Sequence, residues 1–471
     1  MVGALSGLIK NGQEKKRRAE FLVAERGNGP VIGKDMNVKS VVGNRRDDWR
    51  FWVLAAKGIV VALLFPAAMF AQTSLTWQQV KDRFEAANPN LRAAQLNIDE
   101  SRAAETTAYL RPNPDFSVSA DGVQVVPNQG VWQPFAGVVE TPSISYLHER
   151  DHKRELRRDS AKENTAIAQS TYTDQERSLL FNLRSAFVQV LEAKAVLENA
   201  QQNLQYWDRE LDANRTRFSA GDLAQADLNR LELQRVQFES DFETAMVNLR
   251  TAKIQLLTLL NDRTPIEQFD VTGPFDFSQE LMNLEDFRNM AMEARPDLKA
   301  AVQNVQLAKT TYSLAVSNGS TDPTFSIWYS HNPSFANPFA NETIGGSIDI
   351  PLRVFDRNQG EKLRTKLDID RNERLRDAAQ AQVLSDVDSA YWTLVQNINL
   401  LKPYKGKYLP LATDVRDRVT FSYQNGGSSL LDFLDAEKSY RDTRLAYLNL
   451  VGSYLTAVAQ MNMAVGKEVM Q

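Results

Sequence analysis

From Leu183 onward the chain places an apolar residue at every seventh position: Leu183, Val190, Leu197, Leu204, Leu211 and Phe218. Ala186, Ala193, Ala200 and Trp207 stand three residues after the first four of these. A sustained seven-residue period predicts coiled-coil helices, and alanine at the seam lets two backbones approach closely. The next stretch carries two such ladders. One is Leu228, Phe242, Leu249 and Leu256, broken by Arg235; the other is Leu231, Phe238, Ala245, Ala252 and Leu259. Neither Gly nor Pro occurs from Ser143 to Ala220 or from Asp222 to Thr264. A helix of ~65 residues filling most of the first stretch would be about 100 Å long, far beyond the ~11–12 residues of an average globular helix. A later long helix is expected over Glu361–Lys402, to be kinked or restarted at Pro403, Gly406 and Pro410. A final ladder runs Phe433, Tyr440, Tyr447, Tyr454 and Met461.

Four short segments alternate with period two instead. In 115–121, Phe116, Val118 and Ala120 oppose Ser117, Ser119 and Asp121; in 141–146, Ile144 and Tyr146 oppose Ser143 and Ser145. In 324–330, Phe325, Ile327 and Tyr329 oppose Ser326, Trp328 and Ser330; in 343–350, Ile344, Ile348 and Ile350 oppose Gly345, Ser347 and Asp349. One apolar and one small polar face fits a membrane β-barrel, and also any half-buried antiparallel sheet. Membrane barrels need about eight strands or more. Four strands must then be pooled between chains, eight from a dimer or twelve from a trimer. The loops 122–137 and 331–342, rich in Pro, Gly, Asn and aromatics, would lie outside the cell.

These elements occur twice. Ala86–Ala94 (AANPNLRAA) returns as Glu293–Ala301 (EARPDLKAA), and Phe218-x-x-Gly221-x5-Asp227-Leu228 returns as Tyr423-x-x-Gly426-x5-Asp432-Phe433. Thr76 with Gln79 and Asn283 with Asp286 read as matching helix starts. The expected division is an upstream segment and signal peptide at 1–71, a first repeat at 72–270 and a second at 271–471.

Composition narrows the compartment. The run from Gly58 to Ala71 is apolar, short and preceded by Arg45, Arg46, Arg50 and Lys57, which reads as an export signal cleaved near Ala71. Residues 1–50 resemble no domain, and Met36 is the expected natural start. Residues 72–471 carry 43 basic and 53 acidic side chains, a net charge of −10, which gives no reason to expect nucleic acid. With no cysteine in 471 residues, disulfides, cysteine–metal sites, a cysteine nucleophile and an N-terminal lipid anchor are all excluded.

The segments Tyr423–Tyr440 (YQNGGSSLLDFLDAEKSY) and Arg217–Arg235 (RFSAGDLAQADLNRLELQR), with the twin hairpin-plus-helix halves, resemble the TolC-type outer-membrane efflux family, most of all its CzcC-like and drug-efflux branches. The resemblance spans essentially the whole exported chain. It implies a mainly α fold with a small β part. Three copies would form one 12-stranded transmembrane barrel above a coiled-coil helical tunnel. It implies a homotrimer set in outer-membrane lipid, docked on a periplasmic adaptor and an inner-membrane pump of the resistance–nodulation–division type. It implies conduction, with no enzyme activity, no cofactor and no bound metal. The helix-turn-helix tips, around Phe218, Gly221 and Asp227 and around Tyr423 and Gly426, would narrow the tunnel. Asp432 and Asp435 match the acidic rings of the constriction, and Asp227 the position that binds a neighbouring tip, with Tyr423 as its partner. A bridging Arg of the prototype is Ser428 here. Asp in a first helical turn also has a plainer role, stabilising the helix dipole.

Two other readings compete. His148-Glu149-Arg150-Asp151-His152 spells the H-E-x-x-H zinc pattern, which needs a helix to put both imidazoles on one face. Its densely charged surroundings favour a surface junction. A periplasmic coiled-coil adaptor or scaffold would share the export signal and long helices but have no barrel and no twin hairpins.

Overall fold

A computed structural model describes residues 74–332 and 341–470. The export run, Met36 and most of the 331–342 loop lie outside the described residues. In chain order the elements are α1 (Trp77–Ala87), α2 (Pro89–Ala108), β1 (Asp115–Asp121), β2 (Val139–Leu147), α3 (Lys153–Ser219) and α4 (Gln225–Leu259). The second half repeats them as α5 (Leu284–Ala294), α6 (Pro296–Ser317), β3 (Thr324–His331), β4 (Glu342–Asp349), α7 (Gln359–Pro403), α8 (Leu409–Gln424) and α9 (Leu430–Val465).

Local chemistry accounts for the boundaries. Thr76 and Gln79 form a reciprocal capping box at the start of α1. Asn283 holds the same place before α5 in extended conformation, but its side chain makes no capping bond, so the expected match is positional only. Each half then breaks its helix before a proline, Pro89 or Pro296, because the residue before proline avoids the helical region. Asn88 caps α2 through its side chain, whereas Arg295 is buried and instead pairs with Asp297 and Asp386. α3 has 67 residues, about 100 Å. Between α7 and α8 the chain forms a π turn, Tyr404–Tyr408, just after Pro403, which removes a backbone donor.

The long helices pack along the expected seams. Leu183, Val190, Leu211, Ala186, Ala200 and Trp207 are buried on α3; Leu231, Phe238, Ala245 and Ala252 are buried on α4. The ladder break at Arg235 is an ion pair: its Nε donates to Asp208 of α3 at 2.6 Å. The two halves are also tied at their origin, where Leu75 pairs in parallel with Val271.

The four strands form one antiparallel sheet in chain order. Its central pairing, β2 with β3, joins the halves, setting Ile144 opposite Ile327 and Ser145 opposite Ser326. That register keeps the alternation coherent across the sheet. One face carries Phe116, Ile144, Ile327 and Ile344, between 51% and 81% exposed. The other carries the serines, with Ser117 Oγ 2.8 Å from Ser143 Oγ and Thr141 Oγ1 donating to Ser330 Oγ at 3.2 Å. Among the described residues β1 and β4 are edges. An apolar face with two unpaired edges is unsuited to water and suited to barrel closure in lipid.

Candidate functional site

At the far end of the long helices, two tight turns reverse the chain. In the first, Gly221 (φ +86°) follows α3; Gly221 N donates to Phe218 O at 3.0 Å and Asp222 N to Arg217 O at 2.9 Å. In the second, Gly426 (φ +76°) follows α8; Gly426 N donates to Tyr423 O at 3.1 Å and Gly427 N to Ser422 O at 2.7 Å. Both are the same helix-ending motif, which needs a left-handed residue and therefore glycine.

The exits from the turns differ. Ala224, the residue before α4, has no side chain to cap it. α9 starts with a capping box in which Ser429 accepts from Asp432 N while Asp432 accepts from Ser429 N and Oγ. The Ser429 hydroxyl and backbone bonds hold the Asp432 carboxyl below the usual carboxylate range. The capping role thus exists. Asp432 and Asp435 are nevertheless exposed and stand one turn apart, on one side of α9.

Behind the turns lies a dry aromatic stack joining the halves. Trp207 of α3 stacks on Phe238 of α4 at 4.9 Å and on Phe433 of α9 at 5.8 Å; Phe433 stacks on Tyr423 of α8 at 4.8 Å. Trp207 Nε1 donates to Leu231 O at 3.1 Å, so no polar atom is stranded. Phe218 packs against this cluster. Within the chain Tyr423 does not reach Asp227 as a hydrogen-bond partner: its hydroxyl donates to buried Asn214 at 2.9 Å, and Asp227 pairs with Arg230 at 3.5 Å. The reason is that Tyr423 faces α3, whereas Asp227 begins α4. Ser428 donates to Ser422 Oγ at 2.7 Å, a contact inside its own turn.

The sequence marks the turns but not Asn214 or the depth of Trp207. A tryptophan at the end of an alanine ladder was the available signal.

At the other end of the helices, Lys153 Nζ, nearly buried, meets Asp322 at 2.5 Å, and Arg150 N donates to the same carboxylate at 2.9 Å. This cluster joins the sheet to α3. The H-E-x-x-H residues lie in this junction and not on a helix: Asp151 and His152 are left-handed, at φ +53° and +57°. Glu149 is held bidentate by Arg157. The helical face that the zinc pattern requires is therefore broken between the two histidines. On the serine face of the sheet, Trp328 lies across Gly345, where a Cβ would meet the indole at 2.5 Å.

Four strands per chain with an apolar face, on helices of this length that end in paired turns, define a membrane duct made from several chains. The outer membrane efflux protein family matches residues 81–262 and again 287–467, and the chain belongs to that family. It is similar to the cobalt-zinc-cadmium resistance protein CzcC of Cupriavidus metallidurans, with 23% identity over 442 residues, 87% of this chain and 98% of the relative. Its fold is similar to that of CusC, at 16% identity and a TM-score of 0.70 over 84% of this chain and 93% of that one. It is also similar to the open state of the MtrE channel of Neisseria gonorrhoeae, at 18% identity and 0.66 over 83% and 89%.

The protein is thus an outer-membrane efflux channel that extends into the periplasm, with the barrel-and-tunnel fold of the trimeric channels and four barrel strands from each chain. Its relatives are channel proteins, and the family works in tripartite systems with an adaptor and an inner-membrane pump. The paired hairpins exclude the barrel-free adaptor.

Proposed function

We propose that this channel is the passive exit duct for a pump of the resistance–nodulation–division type and performs no bond chemistry of its own. The observation that carries the duct is the exposed apolar sheet face bounded by two unpaired edges, which closure with other copies would cover and pair. Its functional halves are 72–270 and 271–471, preceded by an upstream and signal segment at 1–71. The constriction is the tip: Phe218, Gly221, Asp227, Tyr423 and Gly426 shape it, and Asp432 and Asp435 contribute carboxylates to the pore. Six carboxylates from three copies would favour cations over anions. The serine face of the strands would line the barrel with hydroxyls. With the cobalt-zinc-cadmium resistance relative, this makes divalent metal cations the first cargo to test.

The test is direct. The purified protein should cross-link as a trimer, migrate heat-modifiably and conduct ions in planar bilayers, and its deletion should sensitise cells to cobalt, zinc or cadmium. A water-soluble monomer without conductance would overturn the duct. Unchanged metal tolerance with new sensitivity to dyes or drugs would reassign the cargo.

A further inference from the structure

Next to the aromatic stack lies a carboxylic acid that the pore does not use. Glu437 follows Phe433 by four residues, on the buried stripe of α9. It is 6% exposed, and its Oε1 has no hydrogen-bond partner among the described residues. An ionised carboxylate is costly in such a place.

The groups around it do not neutralise it. From α3 it faces the Tyr206 phenol and Glu210; from α8 it faces Arg416 and Asp417. Arg416 is engaged elsewhere: it donates to Asp417 at 2.7 Å and lies over the Tyr440 ring at 3.9 Å. Glu210 accepts from Gln424 at 3.2 Å, and Tyr206 shares a hydrogen bond with Thr420 at 3.4 Å. α4 approaches one turn further on, where Arg441 meets Asp241 at 3.6 Å. Loss of water pushes the Glu437 carboxyl up to about 7; Tyr206 and Arg416 oppose this, while Glu210 and Asp417 add to it.

Glu437 therefore sits where the α8–α9 hairpin of the second half rests on α3 of the first. We propose that Glu437 is a positioning residue of the gate, whose proton keeps the two tip hairpins packed and whose loss to solvent parts them. This rests on the reading of the tip as the constriction. The neutral acid fits a dry interface; the anion requires water, which reaches it only when the hairpins separate.

The direction follows from the raised carboxyl. In the parted, solvated state Glu437 loses its proton in the ordinary glutamate range; in the packed state it does so near 7. Between these limits each pH unit moves the packed-to-parted ratio toward parting by up to about tenfold, and above the upper limit the ratio is constant.

The experiment is conductance of the purified channel in planar bilayers from pH 5 to 8.5. The native channel should open increasingly up to about pH 7 and then level off. Glu437→Gln, which cannot ionise, should stay at the low-pH conductance throughout. Glu437→Met, uncharged and of similar volume, should be flat as well, so one unfolded variant does not leave the test open. A rising profile in a folded uncharged variant overturns the proposal. Asp432→Asn with Asp435→Asn should keep the rise while losing cation preference. A rise abolished only in that double variant assigns it to the pore carboxylates and overturns the latch, leaving the constriction reading intact. Unchanged selectivity in the double variant instead counts against the constriction reading.

Discussion

Tyr423, in the last turn of α8, donates its hydroxyl hydrogen to Asn214 of α3 at 2.9 Å. Both residues are buried, so this bond ties the second half of the chain to the first where helices and turns meet. Tyr423→Phe would leave the ring stack in place and remove one partner of a buried amide. The expected cost is about 1–2 kcal/mol at the tip. Conductance in bilayers should rise and cells should become more sensitive to large antibiotics. An unchanged conductance would show that the tyrosine hydroxyl does not hold the tip.

Neutralising Asp432 and Asp435 together should reduce cation preference, read as a smaller reversal potential in a salt gradient. Asparagine is the replacement of choice because it can still cap α9. The Asp432 carboxyl is held low by Ser429. Its charge is therefore present at neutral pH, and its share of the selectivity should persist on acidification until the pH falls through that lowered value. Loss of selectivity already at pH 6 would point to another group.

Lys153 and Asp322 form a nearly buried pair between the sheet and α3. Burial raises the Asp322 carboxyl, but the Lys153 bond, the Arg150 amide and the lysine charge outweigh it and leave the carboxyl lowered. A lowered acid stabilises the fold above the ordinary carboxylate range and loses that contribution as pH falls through the lowered value. Asp322→Asn should cost about 3 kcal/mol at pH 7, since it strands a buried ammonium. Thermal unfolding should show the deficit at pH 7, and the deficit should shrink only as the pH falls through that lowered value.

Gly345 lies under the Trp328 indole. Gly345→Leu should force the ring aside at about 1–3 kcal/mol and lower the yield of heat-modifiable protein. Trp328→Ala should restore assembly of that variant. In the native background Trp328→Ala should raise conductance if the serine face lines the pore.

Much of this molecule is written in local patterns. The seven-residue ladders, the two glycines and the serine alternation located the long helices, both turns and all four strands, because each depends on neighbours within a few residues. The zinc-like pattern at His148–His152 shows the limit: its three fixed positions matched, yet positive φ at Asp151 and His152 breaks the helix the chemistry needs. Asn283 matched a cap in spelling but makes no side-chain bond.

Glu437 is an acid on the stripe that carries Phe433, Ala436 and Tyr440, and the sequence alone gives it no role. Its meaning depends on residues more than 200 positions away on α3, which the sequence lists but does not bring together. By itself the sequence determined which segments are helix, turn and strand and that the chain is one unit repeated. Tertiary structure alone decided that within the chain Tyr423 answers to Asn214, and that Trp328 faces Gly345. It also decided that Glu437 is dry. Periodicity sets the face a side chain presents, but only packing sets what meets it and whether water remains.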